Sequence, residues 1–332
     1  FFIKLMNKKI DISIIIPVFN EEESLLQLND EILTVIDRNY SYEIIYVNDG
    51  SNDNSISIIQ EIITTNNNIK LIDQYRNRGK AEALNVGFKN ARGNYVLTMD
   101  ADLQDDPKEI PNLINKLKEG FDMVSGWKKN RKDPLSKTFP SKIFNLVVKL
   151  FSGIKIHDFN CGLKGYKSKA VKTISLYGGL HRFIPVLIKE NGFSVSEIIV
   201  NHRERKYGIT KYGGSRIFHG LYDFITVLFL KKYFNRPLHF FGKYGIILSS
   251  IGISINLFLA YKWVVYKYFM DLPFLHEGIK YSINRPLLYL GILLLIIGIQ
   301  FISIGLIGEL IVRISRKNKD YNNSADFYNF DR

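Results

Sequence analysis

The feature that most restricts this chain lies in its last third. Two apolar runs, residues 244–265 and 287–312, are each long enough to cross a bilayer. Lys262 and Glu309 fall near their ends, where long side chains reach the interface, and Tyr261, Trp263 and Tyr266 suit the same depth. The connection is short and mixed, so a hairpin is expected. Basic residues outside it, among them Lys231, Lys232, Arg236, Arg313 and Arg316, outnumber those in the connection, which predicts both chain ends on the cytosolic side. Gly245, Ser249, Gly252 and Asn256 share one face of the first run. Gly291, Gly298 and Gly305 form a stripe at seven-residue spacing on the second. Close helix approach follows, either within the hairpin or between protomers. Residues 213–240 are aromatic and basic, the pattern of amphipathic juxtamembrane helices. Residues 316–332, rich in Lys, Asn and Asp, read as a disordered tail.

Residues 1–212 follow a different rule. Ile12-Ser-Ile-Ile-Ile16, Glu43-Ile-Ile-Tyr-Val47, residues 69–75, Tyr95-Val-Leu-Thr-Met99 and Met123-Val-Ser-Gly-Trp127 are short apolar runs. Helical periodicity separates them, with Leu25, Leu28, Ile32 and Val35 marking the first helix and Pro107 opening the fourth. That alternation predicts an α/β domain with a mostly parallel sheet and right-handed crossovers. Three of the apolar runs end in polar groups: Phe19-Asn-Glu21, Asn48-Asp-Gly50 and Asp100-Ala-Asp102. In a parallel sheet those ends share one edge, where open α/β sheets bind ligands. Hard oxygen donors there suit Mg²⁺ or Mn²⁺, although an acidic turn capping a helix explains Asp100-Ala-Asp102 equally well taken alone. Neither G-x-G-x-x-G nor a P-loop occurs, so a glycine-rich phosphate cradle is excluded.

The net charge of +13 over 332 residues calls for an anionic partner: a phosphorylated ligand, an anionic membrane surface or nucleic acid. The basic residues cluster beside the apolar spans and no nucleic-acid-binding motif appears, so nucleic acid is set aside. The single cysteine, Cys161, rules out an intrachain disulfide, fits a reducing compartment and reads as a small buried side chain. Residues 1–10 lack the apolar core of a signal peptide, which leaves the first domain expected in the cytosol.

Ile16-Pro-Val-Phe-Asn-Glu-Glu22, Val47-Asn-Asp-Gly-Ser51, Asn77-Arg-Gly-Lys80 and Asp100-Ala-Asp-Leu-Gln104 together resemble the inverting family 2 glycosyltransferases of GT-A fold. With Asp158-Phe-Asn-Cys-Gly162, His181-Arg-Phe-Ile-Pro185 and the segment from Arg203 to Tyr212, the whole chain is similar to the polyisoprenyl-phosphate glycosyltransferases. This group includes dolichol-phosphate mannosyltransferases and undecaprenyl-phosphate glucosyltransferases. The resemblance implies a nucleotide diphosphate sugar as donor, a polyprenyl phosphate as acceptor and Mg²⁺ or Mn²⁺ as cofactor. UDP-glucose is the expected donor, with GDP-mannose and UDP-N-acetylglucosamine as competitors. A homo-oligomer is also implied, since some relatives are tetramers.

By the same resemblance, Pro17, Phe19, Glu21, Val47 and Asp49 line the base and ribose. Asp100 and Ala101 lie near ribose and diphosphate, and Asp102 and Gln104 are metal ligands. For Asp49 binding is the favoured reading, with an Asx-turn residue in Asn48-Asp-Gly-Ser51 as the bland alternative. Lys128 and Arg131 are candidates for gripping donor and acceptor phosphates, where the bland reading is a solvated basic loop. Arg205 and Lys211 match an Arg-x-x-Gly-x-Ser-Lys pattern with Thr210 in place of Ser, and would close over the diphosphate. Asp158 is either a base that orients the acceptor or a turn carboxylate. Asp105 and Asp106 cap the Pro107 helix or touch the sugar, and His181 reads as structural. Two rivals stand beside this reading. A processive polysaccharide synthase needs a Gln-x-x-Arg-Trp motif that is absent, and a non-catalytic sensor would be marked by loss of ligands that are all present.

Overall fold

In the computed structural model the described residues are 10–37, 39–129, 135–204, 236–269 and 284–327. The chain separates into two compact units, residues 1–227 and 228–332.

The first unit is built on a seven-stranded sheet. Its strands are β1 Ile12–Val18, β2 Tyr42–Asn48, β3 Ile69–Asp73, β4 Tyr95–Thr98, β5 Met123–Trp127, β6 Lys164–Lys167 and β7 Val195–Ile199, in spatial order β3-β2-β1-β4-β6-β5-β7. Every residue of β2 and all but Pro17 of β1 are buried, as expected of central strands covered on both faces. Helix α1 (Leu25–Ile36) turns Leu25, Leu28, Ile32 and Ile36 into the core, and α2 (Ser55–Thr65) contributes Ile59 and Ile62. Both cover apolar area that stabilises at about 25 cal/mol per Å². Helix α3 (Lys80–Asn90) packs on β1 so closely that a side chain at Gly87 would overlap Ile15.

Two features depart from the periodicity reading. The helix expected from Pro107 begins as a 3₁₀ turn, Pro107–Glu109, and becomes α-helical only at α4 (Ile110–Lys118). Pro111 lacks the N–H that would bond back to residue 107, so the first turn tightens. The second is β6, a four-residue strand antiparallel to both β4 and β5. Lys-Gly-Tyr-Lys carries no apolar alternation, and only its long-range pairing makes it a strand.

At the amino edge of the sheet the buried Glu43 carboxylate is fully occupied. It accepts from Ser13 Oγ (2.7 Å), the Arg92 N–H (2.7 Å), Lys70 Nζ (2.8 Å) and Arg92 Nε (3.3 Å). Further along the sheet, before β5, Asp122 accepts from the Ser194 N–H (3.1 Å) and Oγ (2.8 Å) and pairs with Lys167 and Lys169, each at 3.3 Å. Helices α5 (Leu135–Ser152), α6 (Ser168–Val171) and α7 (Ile184–Glu190) complete the unit.

Among the described residues the second unit consists of α8 (Pro237–Phe269) and α9 (Asn284–Phe327). Pro237–Val265 and Arg285–Ile314, 29 and 30 residues, are long and apolar enough to cross a bilayer. The two small-residue faces meet each other inside this pair. A Cβ at Gly245 would lie 2.7 Å from the Gly298 carbonyl oxygen, and one at Gly252 would lie 2.6 Å from that of Gly291. Asn256 packs against Gly291 and Ser249 against Gly298, so the seam is a backbone-to-backbone approach of the kind small residues permit. Helix α9 runs on to Phe327, beyond Arg316, where composition pointed to disorder. No Gly or Pro interrupts residues 313–327, and extending a formed helix avoids the nucleation cost.

Candidate active site

The parallel, adjacent strands β1, β2 and β4 bring the three polar strand ends to one edge. Pro17 and Val47 are register partners there. The loops that follow are stitched together: Asn20 N–H donates to Ser51 Oγ (3.0 Å), Glu21 N–H to Ser55 Oγ (3.0 Å) and Asn52 N–H to Asn20 Oδ1 (2.8 Å). Phe19 and Glu21 lie half-buried in this seam.

Asp49 is buried, and its carboxylate is not the Asx-turn group of its own loop. Asn48 fills that part, accepting from Ser51 N–H at 3.2 Å. Asp49 instead accepts from the N–H groups of Arg78 (2.7 Å) and Gly79 (2.9 Å). Burial pushes its carboxyl up, and these two bonds only partly offset that. The next residue, Lys80, places Nζ on the Asp100 carboxylate. The turn Arg78-Gly79-Lys80 therefore bridges the carboxylate after β2 to the one after β4. Burial works against a charged Asp100, but Lys80, Lys128 and Lys164 outweigh it and hold the carboxyl at about 2. Gly162 is required beside it, since a Cβ there would lie 2.5 Å from an Asp100 carboxylate oxygen.

Beyond Asp100 the chain makes a strained turn. Leu103 sits at φ +61°, a left-handed conformation costing a non-glycine residue about 1–2 kcal/mol. Its side chain is buried. Asp102 Oδ1 accepts from the Gln104 N–H at 3.2 Å, closing the turn, and Asp102 is 9% exposed. The two following aspartates, ambiguous in sequence, have separate structural partners. Asp105 is buried, accepts from the Asp100 N–H (3.3 Å) and pairs with Lys128 at 2.9 Å. Asp106 caps the Pro107 turn through the Lys108 N–H (3.1 Å) and also receives Asn201 Nδ2 (3.0 Å) and an Arg203 guanidinium nitrogen (2.7 Å).

Lys128, expected on substrate phosphate, pairs here with Asp105, with its side chain 9% exposed. Burial opposes its charge, but Asp105 and Asp100 raise its pKa overall. Asp158 is buried and accepts from the Asn160 N–H at 3.0 Å, while its carbonyl takes Ser125 Oγ (3.1 Å). Cys161 is buried, which pushes its thiol up to about 12 and makes it inert. Arg131, Arg205 and Lys211 lie outside the described residues, as does most of the amphipathic segment.

Three basic groups at the site went unassigned in sequence. Lys80 stands in the Asn77-Arg-Gly-Lys80 motif, a signal that was present but carried no role. Lys164 is buried on β6 with Nζ on the Cys161 carbonyl, and burial lowers its pKa. The third, Arg203, joins Asp106 to Glu31 of α1. Lys164 gave no local signal, and Arg203, which opens the segment Arg203 to Tyr212, carried no role, because the partners of both are distant in sequence.

The residues present fit a divalent metal of the Mg²⁺ or Mn²⁺ type. Asp102 and Gln104 offer oxygen donors only, and no group of three or more His, Cys, Asp or Glu among the described residues forms a protein-only cage. Such ions are commonly held by one or two carboxylates together with substrate phosphates.

Residues 13–175 match Glycosyl transferase family 2. The chain is 33% identical over 312 residues to a dodecaprenyl-phosphate galacturonate synthase of Rhizobium johnstonii, covering 92% of this chain and 89% of that protein. It is 35% identical over 313 residues to an undecaprenyl-phosphate 4-deoxy-4-formamido-L-arabinose transferase of Shewanella sediminis, covering 93% and 89%. Among solved structures, glucosyl-3-phosphoglycerate synthase from Mycobacterium tuberculosis, in complex with Mn²⁺ and UDP-glucose, superposes with a TM-score of 0.52. That match has 17% identity over 67% of this chain and 79% of the other, and shows the GT-A-like fold. Likeness along nine-tenths of the chain, apolar helices included, settles the family: the chain belongs to glycosyltransferase family 2, among its polyprenyl-phosphate glycosyltransferases.

Proposed function

We propose that this protein transfers a sugar, with inversion, from a nucleotide diphosphate sugar to the phosphate of a membrane polyprenol. The supporting observation is the Arg78–Lys80 bridge, which joins a buried carboxylate suited to ribose to one beside the Asp102 turn. On this reading Pro17, Phe19, Glu21, Val47 and Asp49 line the base and ribose, and Asp100 and Ala101 lie at the ribose–diphosphate junction. Asp102 and Gln104 hold Mg²⁺ or Mn²⁺, which supplies neutralisation of the charge growing on the departing diphosphate. Arg205 and Lys211 add positive charge over the same group, and Arg131 receives the acceptor phosphate.

An oxygen of the lipid phosphate attacks the anomeric carbon from the face opposite the nucleotide. The bond from that carbon to the diphosphate breaks, and the electron pair leaves with the nucleoside diphosphate. A phosphate monoester has a second pKa of about 6 and is already a dianionic nucleophile near neutral pH. Asp158 therefore serves to orient the acceptor, without needing to act as a strong base. The helices α8 and α9 anchor the enzyme in the membrane, with the catalytic unit and both chain ends on the cytosolic side, where nucleotide sugars are found. The relatives' names point past glucose to a uronic acid and a formamido pentose, so the donor is a nucleotide sugar whose glycosyl group comes from a panel that includes both.

The test is the full chain in nanodiscs with undecaprenyl phosphate, Mn²⁺ or Mg²⁺, and radiolabelled UDP-glucose, UDP-galacturonate, UDP-4-deoxy-4-formamido-L-arabinose, UDP-N-acetylglucosamine and GDP-mannose. Label in the lipid phase with one donor is the expected result. No lipid-linked sugar with any of them overturns the reading.

A further inference from the structure

The strained turn at Leu103 needs an explanation, because a buried non-glycine residue at φ +61° persists only where its surroundings leave no alternative. Asp102 closes the turn from within through the Gln104 N–H. The restraint from outside comes from the segment after β7. Arg203 N–H donates to the Gln104 carbonyl at 3.0 Å, and His202 forms an antiparallel bridge with Asp105. One residue further out, Asn201 Nδ2 donates to Asp106 Oδ2 at 3.0 Å. Residues 201–203 therefore lie antiparallel along residues 104–106 as a two-stranded splint.

A splint holds only if it is itself fixed, and Arg203 fixes it. One guanidinium nitrogen binds Asp106 Oδ1 at 2.7 Å, and the other binds Glu31 Oε2 on α1. Glu31 is in turn steadied by Gln27 Nε2 at 2.7 Å. A rigid core helix and the capped Pro107 turn thus meet in one planar guanidinium, while the main-chain N–H of the same residue holds the Asp102–Gln104 turn. A fork with fixed donor geometry spans two carboxylates in a way that a lysine ammonium does not.

We infer that Arg203 is a positioning residue for the divalent-metal turn, holding Asp102 and Gln104 in register through the Gln104 carbonyl and the Asp106–Glu31 clamp. The inference rests on the reading of Asp102 and Gln104 as metal ligands. Groups that orient metal ligands typically change affinity by about 10- to 100-fold when removed, so Arg203→Ala should weaken metal binding within that range.

The experiment measures Mn²⁺ binding directly, by the electron paramagnetic resonance signal of free Mn²⁺ titrated into the full chain in detergent with UDP present and a protein-free UDP titration subtracted, alongside the melting temperature. Arg203→Ala should raise the Mn²⁺ dissociation constant about tenfold or more, and Glu31→Gln, which leaves Asp106 paired, should raise it less. Arg203→Lys should recover only part of the loss, because one ammonium replaces a two-pronged fork. Asp102→Asn should abolish binding. A purely structural role for Arg203 would lower the melting temperature of Arg203→Ala and leave the Mn²⁺ constant of the folded protein unchanged, and that result overturns the inference alone. Wild-type protein that binds no Mn²⁺ overturns the metal reading and this inference together.

Discussion

The two edges of the sheet each bury carboxylates among basic groups, yet they are finished differently. At the amino edge Glu43 is 2% exposed by side chain, and four donors from two strands and a loop saturate it. At the carboxyl edge the Asp100–Lys80 pair remains 30% exposed on both sides, beside a strained turn. The same chemistry of buried charge serves as a closed staple at one end and as an open, tensioned surface at the other. Partner count and backbone geometry separate the two, since both edges hold carboxylates and lysines.

Substitutions at the two edges should therefore fail in different ways. The largest effect is expected from Asp102→Asn, with transfer falling by about a hundredfold or more and little change in melting temperature. Equal loss of stability and activity would erase the distinction between the edges. Glu43→Ala should do the reverse, costing about 2–4 kcal/mol in denaturant unfolding of the catalytic unit because its partners lose a shared acceptor. The turnover of the protein that remains folded should be unchanged. Gly162→Ala tests the carboxyl edge without altering charge. Its Cβ would displace the Asp100 carboxylate, so activity should fall by about tenfold, while circular dichroism and melting stay close to wild type.

The smallest effect belongs to Asp122 at the amino edge. Burial acts against its charge, but the Ser194 and lysine contacts hold the carboxyl at about 2. A carboxyl lowered in the folded state adds stability that is complete above its unfolded pKa of about 3.9 and is lost as pH falls towards 2. Asp122→Asn should accordingly remove about 1–2 kcal/mol near neutral pH and flatten the acid limb of the stability curve between roughly pH 5 and 2. An unchanged acid limb would show that the amino edge is not held by this charge.

What could be read from the sequence follows the range of the interactions. Apolar periodicity located β1 to β5 and their helices, because burial of a strand or a helix face is written locally. The shared edge followed from strand parallelism, and the two spans from length. Strands β6 and β7 were missed, as were the assignments of Lys128 to Asp105 and of Arg203 to Glu31, the last two joining residues 23 and 172 positions apart. Asp105 and Asp106 show the same limit: adjacent, identical side chains take different partners because neighbouring positions of a loop face different elements. The small-residue stripes were visible, but only the hairpin's own geometry shows that they face each other.

The Arg78–Lys80 bridge also fixes a length. The N–H groups of Arg78 and Gly79 sit on Asp49, and the side chain of the next residue, Lys80, reaches Asp100. A ligand touching both carboxylates is measured against that spacer before any chemistry occurs. Inserting one residue between Gly79 and Lys80 would leave the two N–H contacts on Asp49 in place and carry the Lys80 ammonium off Asp100.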